Sequence, residues 1–179
     1  VVYRHGRIVE EQGRAAVSPE HGPYQLDAIL QALAQPGTVV IGELRPKDAD
    51  PELFAERTTA AIAKLRAAGV PGERITVVGA SKGAVIAMLV SSRLEDSQIG
   101  YVPMAGCNDS ILERYPIRLH GRLLSIHEAS DGIGGSCRRF FNRSPEVARR
   151  EELRLETGLG HGFLYRPLPE WVTPTLRWI

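Results

Sequence analysis

ITVVGASKGAVIAMLV, residues 75–90, changes character at its centre. Ile75 to Gly79 has the β-branched, apolar composition of a strand buried on both faces, and Lys82 to Val90 continues as an apolar run of helical character. The join, Gly79-Ala80-Ser81-Lys82-Gly83, has the form G-x-S-x-G. A serine on so tight a strand-to-helix turn takes a strained backbone, tolerated where the residues two before and two after it lack bulk. Gly79 and Gly83 meet that demand. The pattern therefore predicts Ser81 Oγ raised above a sheet as a nucleophile, with the backbone N–H of Lys82 at a helix N-terminus able to hold an oxyanion. A glycine-rich nucleotide loop, as in short-chain dehydrogenases, is the alternative. Against it, the run begins at residue 75 rather than at the first strand, and no lysine stands four residues after any tyrosine. A Walker A loop would need six residues from its first glycine to the Lys-Ser/Thr pair, and that spacing is missing.

Outward from this stretch, short β-rich runs alternate with helical ones. The strand candidates are Val1 to Arg4, Thr38 to Glu43, Ile75 to Gly79, Ile99 to Met104, Leu123 to Glu128 and Leu153 to Glu156. Helical patterns span Tyr24 to Ala34, Pro51 to Ala68, Lys82 to Arg93, Asp109 to Arg114 and Pro169 to Trp178. Such alternation predicts one α/β domain over residues 1–179, with a mostly parallel central sheet of about six strands and helices on both faces. In sheets of this kind chemistry collects at the carboxyl ends of the strands.

Composition narrows the class. The 179 residues are 43% apolar and 24% charged, an ordinary globular balance long enough for a full core. With 22 Lys+Arg against 21 Asp+Glu the net charge is +1, which lacks the basic field that nucleic-acid binding draws on. The longest apolar run, Ala84 to Val90, is far short of the roughly 20 residues of a membrane span. Cys107 and Cys137 match no zinc spacing, so neither metal nor organic cofactor is expected. The first residue, Val1, is not an initiator Met, which is compatible with export or with trimming.

An activated serine needs a base, and the base an orienting carboxylate. Asp131 follows the strand LLSIHE, and His161 follows LRLE within Gly158-Leu159-Gly160-His161-Gly162, so each lies just past a strand end in the order Ser, Asp, His. Glu128 and Asp109 are rival carboxylates. Among the other histidines, His21 and His120 lie in turns expected to face solvent, and His127 falls inside a strand pattern. His5 ends the strand Val1-Val2-Tyr3-Arg4 as His5-Gly6, which resembles the loop that supplies a second oxyanion donor in many esterases, here the amide of Arg7 or of Gly6.

With GASKG, EASDGIGG and TGLGHGFLY in this order, the chain resembles the α/β-hydrolases over nearly its whole length. That resemblance implies Ser81 as nucleophile, Asp131 as acid, His161 as base, and Lys82 with Arg7 or Gly6 as the oxyanion hole. It also implies a sheet trimmed at its N-terminal edge, because two strands that usually precede the His-Gly loop are missing. Only about 20 residues separate the strand near Met104 from that near Leu123, where larger members insert a lid. The expected activity is hydrolysis of small or soluble carboxylic esters or thioesters. Alternatives are a peptidase or amidase on the same triad, or a noncatalytic binding protein that keeps the turn as scaffold. In the family's strand order the strands ending near Met104 and Glu128 are neighbours. Cys107 and Cys137 should therefore lie close, as a disulfide or as two buried thiols; a bond would fit an oxidising, extracytoplasmic compartment.

Overall fold

The computed structural model describes residues 1–179. In chain order its elements are β1 (Val2–Arg4), α1 (Arg7–Gln12), β2 (Val17–Ser18), β3 (Gly22–Pro23), α2 (Leu26–Leu33), β4 (Ile41–Gly42), α3 (Pro51–Ala67), β5 (Thr76–Ala80), α4 (Lys82–Leu94), β6 (Gly100–Met104), α5 (Asp109–Arg114), β7 (Gly121–Glu128), α6 (Arg138–Asn142), β8 (Val147–Leu155) and α7 (Pro169–Trp178), with a 3-10 segment at Gly160–Tyr165 before α7. Six strands form one sheet in the order β4-β1-β5-β6-β7-β8, and every pairing in it is parallel. β2 and β3 make a separate two-stranded ribbon.

The strands at the centre carry apolar residues on both faces because both faces are covered. Val77, Tyr101 and Leu123 share one core with residues of α3, α4, α5 and α6. Their neighbours Val78, Val102 and Leu124 point the other way, into a second core with α2, the 3-10 segment and α7. α4 is buried along most of its length between the sheet and α3, which is why its sequence is apolar rather than amphipathic. α3 begins as its sequence foretells: Asp50 Oδ1 accepts from Glu52 N at 2.7 Å and Pro51 occupies the first turn.

The sheet's edges depart from expectation. The strand expected at Thr38 to Glu43 shrinks to Ile41–Gly42, because its only partner, β1, has three residues, and Val39 and Ile41 stay exposed. At the other edge the expected Leu153 to Glu156 lengthens to Val147–Leu155. The added residues include Arg149, Arg150, Glu151 and Glu152, which no apolar alternation marks as a strand; the ladder to β7 recruits them, and charge suits an unpaired edge. α1, α6 and the β2–β3 ribbon are too short to carry a periodic signal.

Cys107 and Cys137 form a disulfide with Cα atoms 5.2 Å apart. It ties the loop after β6 to the loop after β7, alongside a hydrogen bond from Gly135 N to Cys107 O at 2.8 Å. The two cysteines are 30 positions apart, so chain entropy assigns the bond about 3 to 4 kcal/mol. Denaturant titration of the reduced, alkylated protein should show a loss of about that size, and intact mass should show no free thiol before reduction.

Candidate active site

Ser81 sits between β5 and α4 at φ 53 and ψ −117, a conformation that costs a non-glycine residue about 1 to 3 kcal/mol. Its N–H donates to Met104 O at 2.8 Å and its carbonyl accepts from Ala84 N at 2.8 Å, so the surrounding backbone holds the strained turn in place. The flanking glycines are sterically required. A Cβ on Gly79 would lie 2.2 Å from Gly83 O, and one on Gly83 would lie 1.9 Å from Arg4 O.

The turn after β1 lies against this serine: a Cβ on Gly6 would stand 3.7 Å from Ser81 Cβ. Arg7, expected in an open loop, opens α1, and Lys82 opens α4, so neither amide has an acceptor within its own helix. The Arg7 side chain is a solvated charge, whereas that of Lys82 is partly buried. Arg7 Nε pairs with Glu11 Oε1 at 2.7 Å, and Lys82 Nζ reaches the buried Glu10 Oε2 at 2.6 Å.

His5, the last residue before Gly6, is buried. Its Nδ1 lies 2.8 Å from Gly6 O and its Nε2 accepts from Arg45 N at 3.1 Å. Only a neutral ring with the proton on Nδ1 satisfies both. Burial, reinforced by the Arg45 charge, pushes its pKa down to about 4. The unfolded chain, with an ordinary histidine near 6.5, therefore binds more protons than the folded one between about pH 4 and 6.5. Stability should be unaffected by this group above pH 6.5 and fall by roughly 3 kcal/mol as pH drops through that window. In His5→Gln the drop should be correspondingly shallower, as thermal unfolding between pH 4 and 7 would report.

Asp131 and His161 come together. Asp131 Oδ2 is 2.7 Å from His161 Nδ1, and its Oδ1 accepts from Ile133 N at 2.8 Å. The Asp131 side chain is wholly buried. Burial opposes its ionisation, but the bonds from His161 and the loop amides outweigh that and hold the carboxyl below the usual range. His161 stands within the 3-10 segment rather than in an open loop, and its Nε2 makes no hydrogen bond within the protein. Ser81 and His161 line the same cleft, of about 450 Å³, without a hydrogen bond between them. A second cleft, of about 480 Å³, opens on the far side of Ser81 and contains Lys82, Val85, Asn108, Ile111 and Tyr115 but not His161. Arg7 and Ile133 line both.

The rival residues take other places. Asp109 is exposed and paired with Arg139. Glu128 is buried at the end of β7, where its carboxylate accepts from Ser130 N and Oγ, both at 2.6 Å, and from Gly158 N at 2.9 Å. It thereby joins the loop of Asp131 to the loop before His161. Burial disfavours its charge, yet these bonds keep its pKa below the usual carboxylate range. His21, expected to face solvent, instead packs edge-on against Tyr165 beside Gly162. His127 lies within β7 as expected. No three His, Cys, Asp or Glu side chains converge as metal ligands. Glu10 and Arg45, which escaped the sequence reading, form a fully buried pair at 2.6 Å beneath the Gly6 turn.

No protein-family model and no curated protein matches the chain. Solved structures do. SOBER1 from Arabidopsis thaliana is similar with a TM-score of 0.64 at 12% identity, over 99% of this chain and 95% of that one. The RedJ thioesterase of prodiginine biosynthesis from Streptomyces coelicolor gives 0.58 at 13%, over 99% and 85%. The sugar hydrolase YeeB from Lactococcus lactis gives 0.61 at 14%, over 99% and 86%. The fold of this chain is the α/β-hydrolase fold.

Proposed function

We propose that this chain is a serine hydrolase that cleaves carboxylic esters or thioesters of small or soluble acyl groups. The observation that carries the reading is the 2.7 Å pairing of Asp131 with His161 in the cleft onto which the strained Ser81 opens. Asp131 fixes the imidazole with its proton on Nδ1, leaving Nε2 to accept the Ser81 proton. Ser81 Oγ attacks the acyl carbon, and the amides of Lys82 and Arg7, or of Gly6, hold the oxyanion. His161 then gives the proton to the departing alcohol or thiol, and water repeats the sequence to release the acid. The separate Ser81 and His161 side chains are compatible with this, since hydrogen bonds of this kind often tighten only around substrate.

The two clefts divide the substrate. A leaving group must reach His161 Nε2, which assigns it to the cleft of Tyr24, Leu164 and Tyr165, and the acyl group to the cleft of Val85, Ile111 and Tyr115. No helix is long and apolar enough to cross a membrane. The partner in this reading is a small-molecule ester or thioester, and the serine triad calls for no metal or organic cofactor.

Labelling with a fluorophosphonate probe tests the reading independently of substrate. The wild-type protein should label and Ser81→Ala should not. A folded wild type that stays unlabelled would favour a binding protein that keeps the turn as scaffold, and equal labelling of both proteins would place the nucleophile elsewhere.

A further inference from the structure

Beneath the Gly6 turn lies a chain of charge-assisted bonds for which the triad has no use. Glu10 and Arg45 have no exposed side-chain surface. Glu10 Oε1 accepts from Arg45 Nε at 2.6 Å, and Glu10 Oε2 accepts from Lys82 Nζ at 2.6 Å. Arg45 in turn grips His5, between β1 and the Gly6 turn, at two points: its Nη2 donates to His5 O, and its backbone N–H donates to His5 Nε2 at 3.1 Å. His5 Nδ1 then donates to Gly6 O at 2.8 Å. Removing one partner of a buried ion pair is severe, while the intact pair adds little net stability over apolar residues, so stability alone is a poor account of it. What the network does have is geometry. One end holds the Gly6–Arg7 turn and the other holds Lys82, the two sides of the oxyanion hole in the reading above.

We propose that Glu10 is a positioning residue that, through Arg45 and Lys82, fixes the separation of the two amides that hold the oxyanion. This rests on the serine-hydrolase reading and adds a residue to it. β1 and α4 are joined near the site by the β1–β5 pairing up to Gly79 and by the close approach of Gly83 to Arg4 O, and burial fixes α4, but none of these contacts involves α1, which carries the Arg7 amide. The bond from the Lys82 side chain to Glu10 ties α1 to α4 directly. Oxyanion donors act through fixed placement, and loosening them lowers the rate of the chemical step more than it weakens substrate binding.

The test is Lys82→Met, which cuts the tie but keeps the backbone N–H, beside Lys82→Arg, which can restore it, and Glu10→Gln. Lys82 is partly exposed, so its variants are expected to fold even if Glu10→Gln, which strands Arg45, does not. For a short p-nitrophenyl ester, Lys82→Met should lower kcat about 10- to 100-fold with KM within about twofold, and Lys82→Arg should recover most of the loss. Unchanged kcat in Lys82→Met, a loss confined to KM, or a loss that disappears well below the variant's Tm would overturn the inference while leaving Ser81 labelling intact. A wild type that neither labels nor hydrolyses esters removes the serine reading, and the positioning role falls with it.

Discussion

Ser81→Ala is expected to lower kcat for ester hydrolysis by about 10⁴- to 10⁶-fold, the range in which removing a triad nucleophile leaves only binding and oxyanion stabilisation. The fold should tolerate the change. Ser81 Oγ makes no hydrogen bond within the protein, and the bonds that hold the strained turn, to Met104 O and from Ala84 N, belong to the backbone. Alanine meets the same strain at φ 53 as serine, so Tm should move little. Steady-state kinetics on a p-nitrophenyl ester, with Tm measured in parallel, checks both halves. Hydrolysis by Ser81→Ala at near wild-type rate would remove the serine from the mechanism.

This turn was also the most legible part of the sequence, for a physical reason. Its constraints are largely local: a strand, a glycine, a serine, a glycine and a helix must follow in order, and the steric limit at Gly79 acts within five residues, although that at Gly83 comes from Arg4 on β1. The central strands were legible for a similar reason, since a strand covered on both faces must be apolar throughout, as Val77 to Val78 and Tyr101 to Val102 are. Where a strand has one neighbour, that signal disappears. β8 carries Arg149 to Glu152 and is defined by its ladder to β7, a long-range partner that leaves no pattern in its own residues.

The Glu10, Arg45 and Lys82 network was invisible for a different reason. Glu10 lies in a six-residue helix, and Arg45 in a stretch without regular structure, so neither spacing nor periodicity points to burial, and charged residues there read as surface. Glu128 was half legible. Its place at the end of a strand was clear, but its acceptance of bonds from Ser130 and Gly158 depends on the β7 and β8 ends meeting. The nearness of Cys107 and Cys137 followed from the strand order that the family resemblance implies, since loops after neighbouring strands pass each other, but that order left open whether the two thiols bond.

Asp131→Asn is expected to lower kcat by about 10³- to 10⁴-fold with the fold intact. The asparagine carbonyl can keep the bond that Asp131 Oδ1 accepts from Ile133 N, which turns the amide NH₂ toward His161 Nδ1. An NH₂ there demands an unprotonated Nδ1, so the ring proton moves to Nε2, and the nitrogen facing Ser81 can no longer accept. Asp109→Asn should change nothing, because that carboxylate is exposed and bound only to Arg139. Glu128→Gln should fall between the two, about tenfold, because a glutamine cannot accept from both Ser130 and Gly158 as the carboxylate does, which loosens the Asp131 and His161 loops together. The ranking decides the assignment. A larger loss in Glu128→Gln than in Asp131→Asn, at matched Tm, would make Glu128 the orienting carboxylate, and a dominant effect of Asp109→Asn would move the acid to the end of β6.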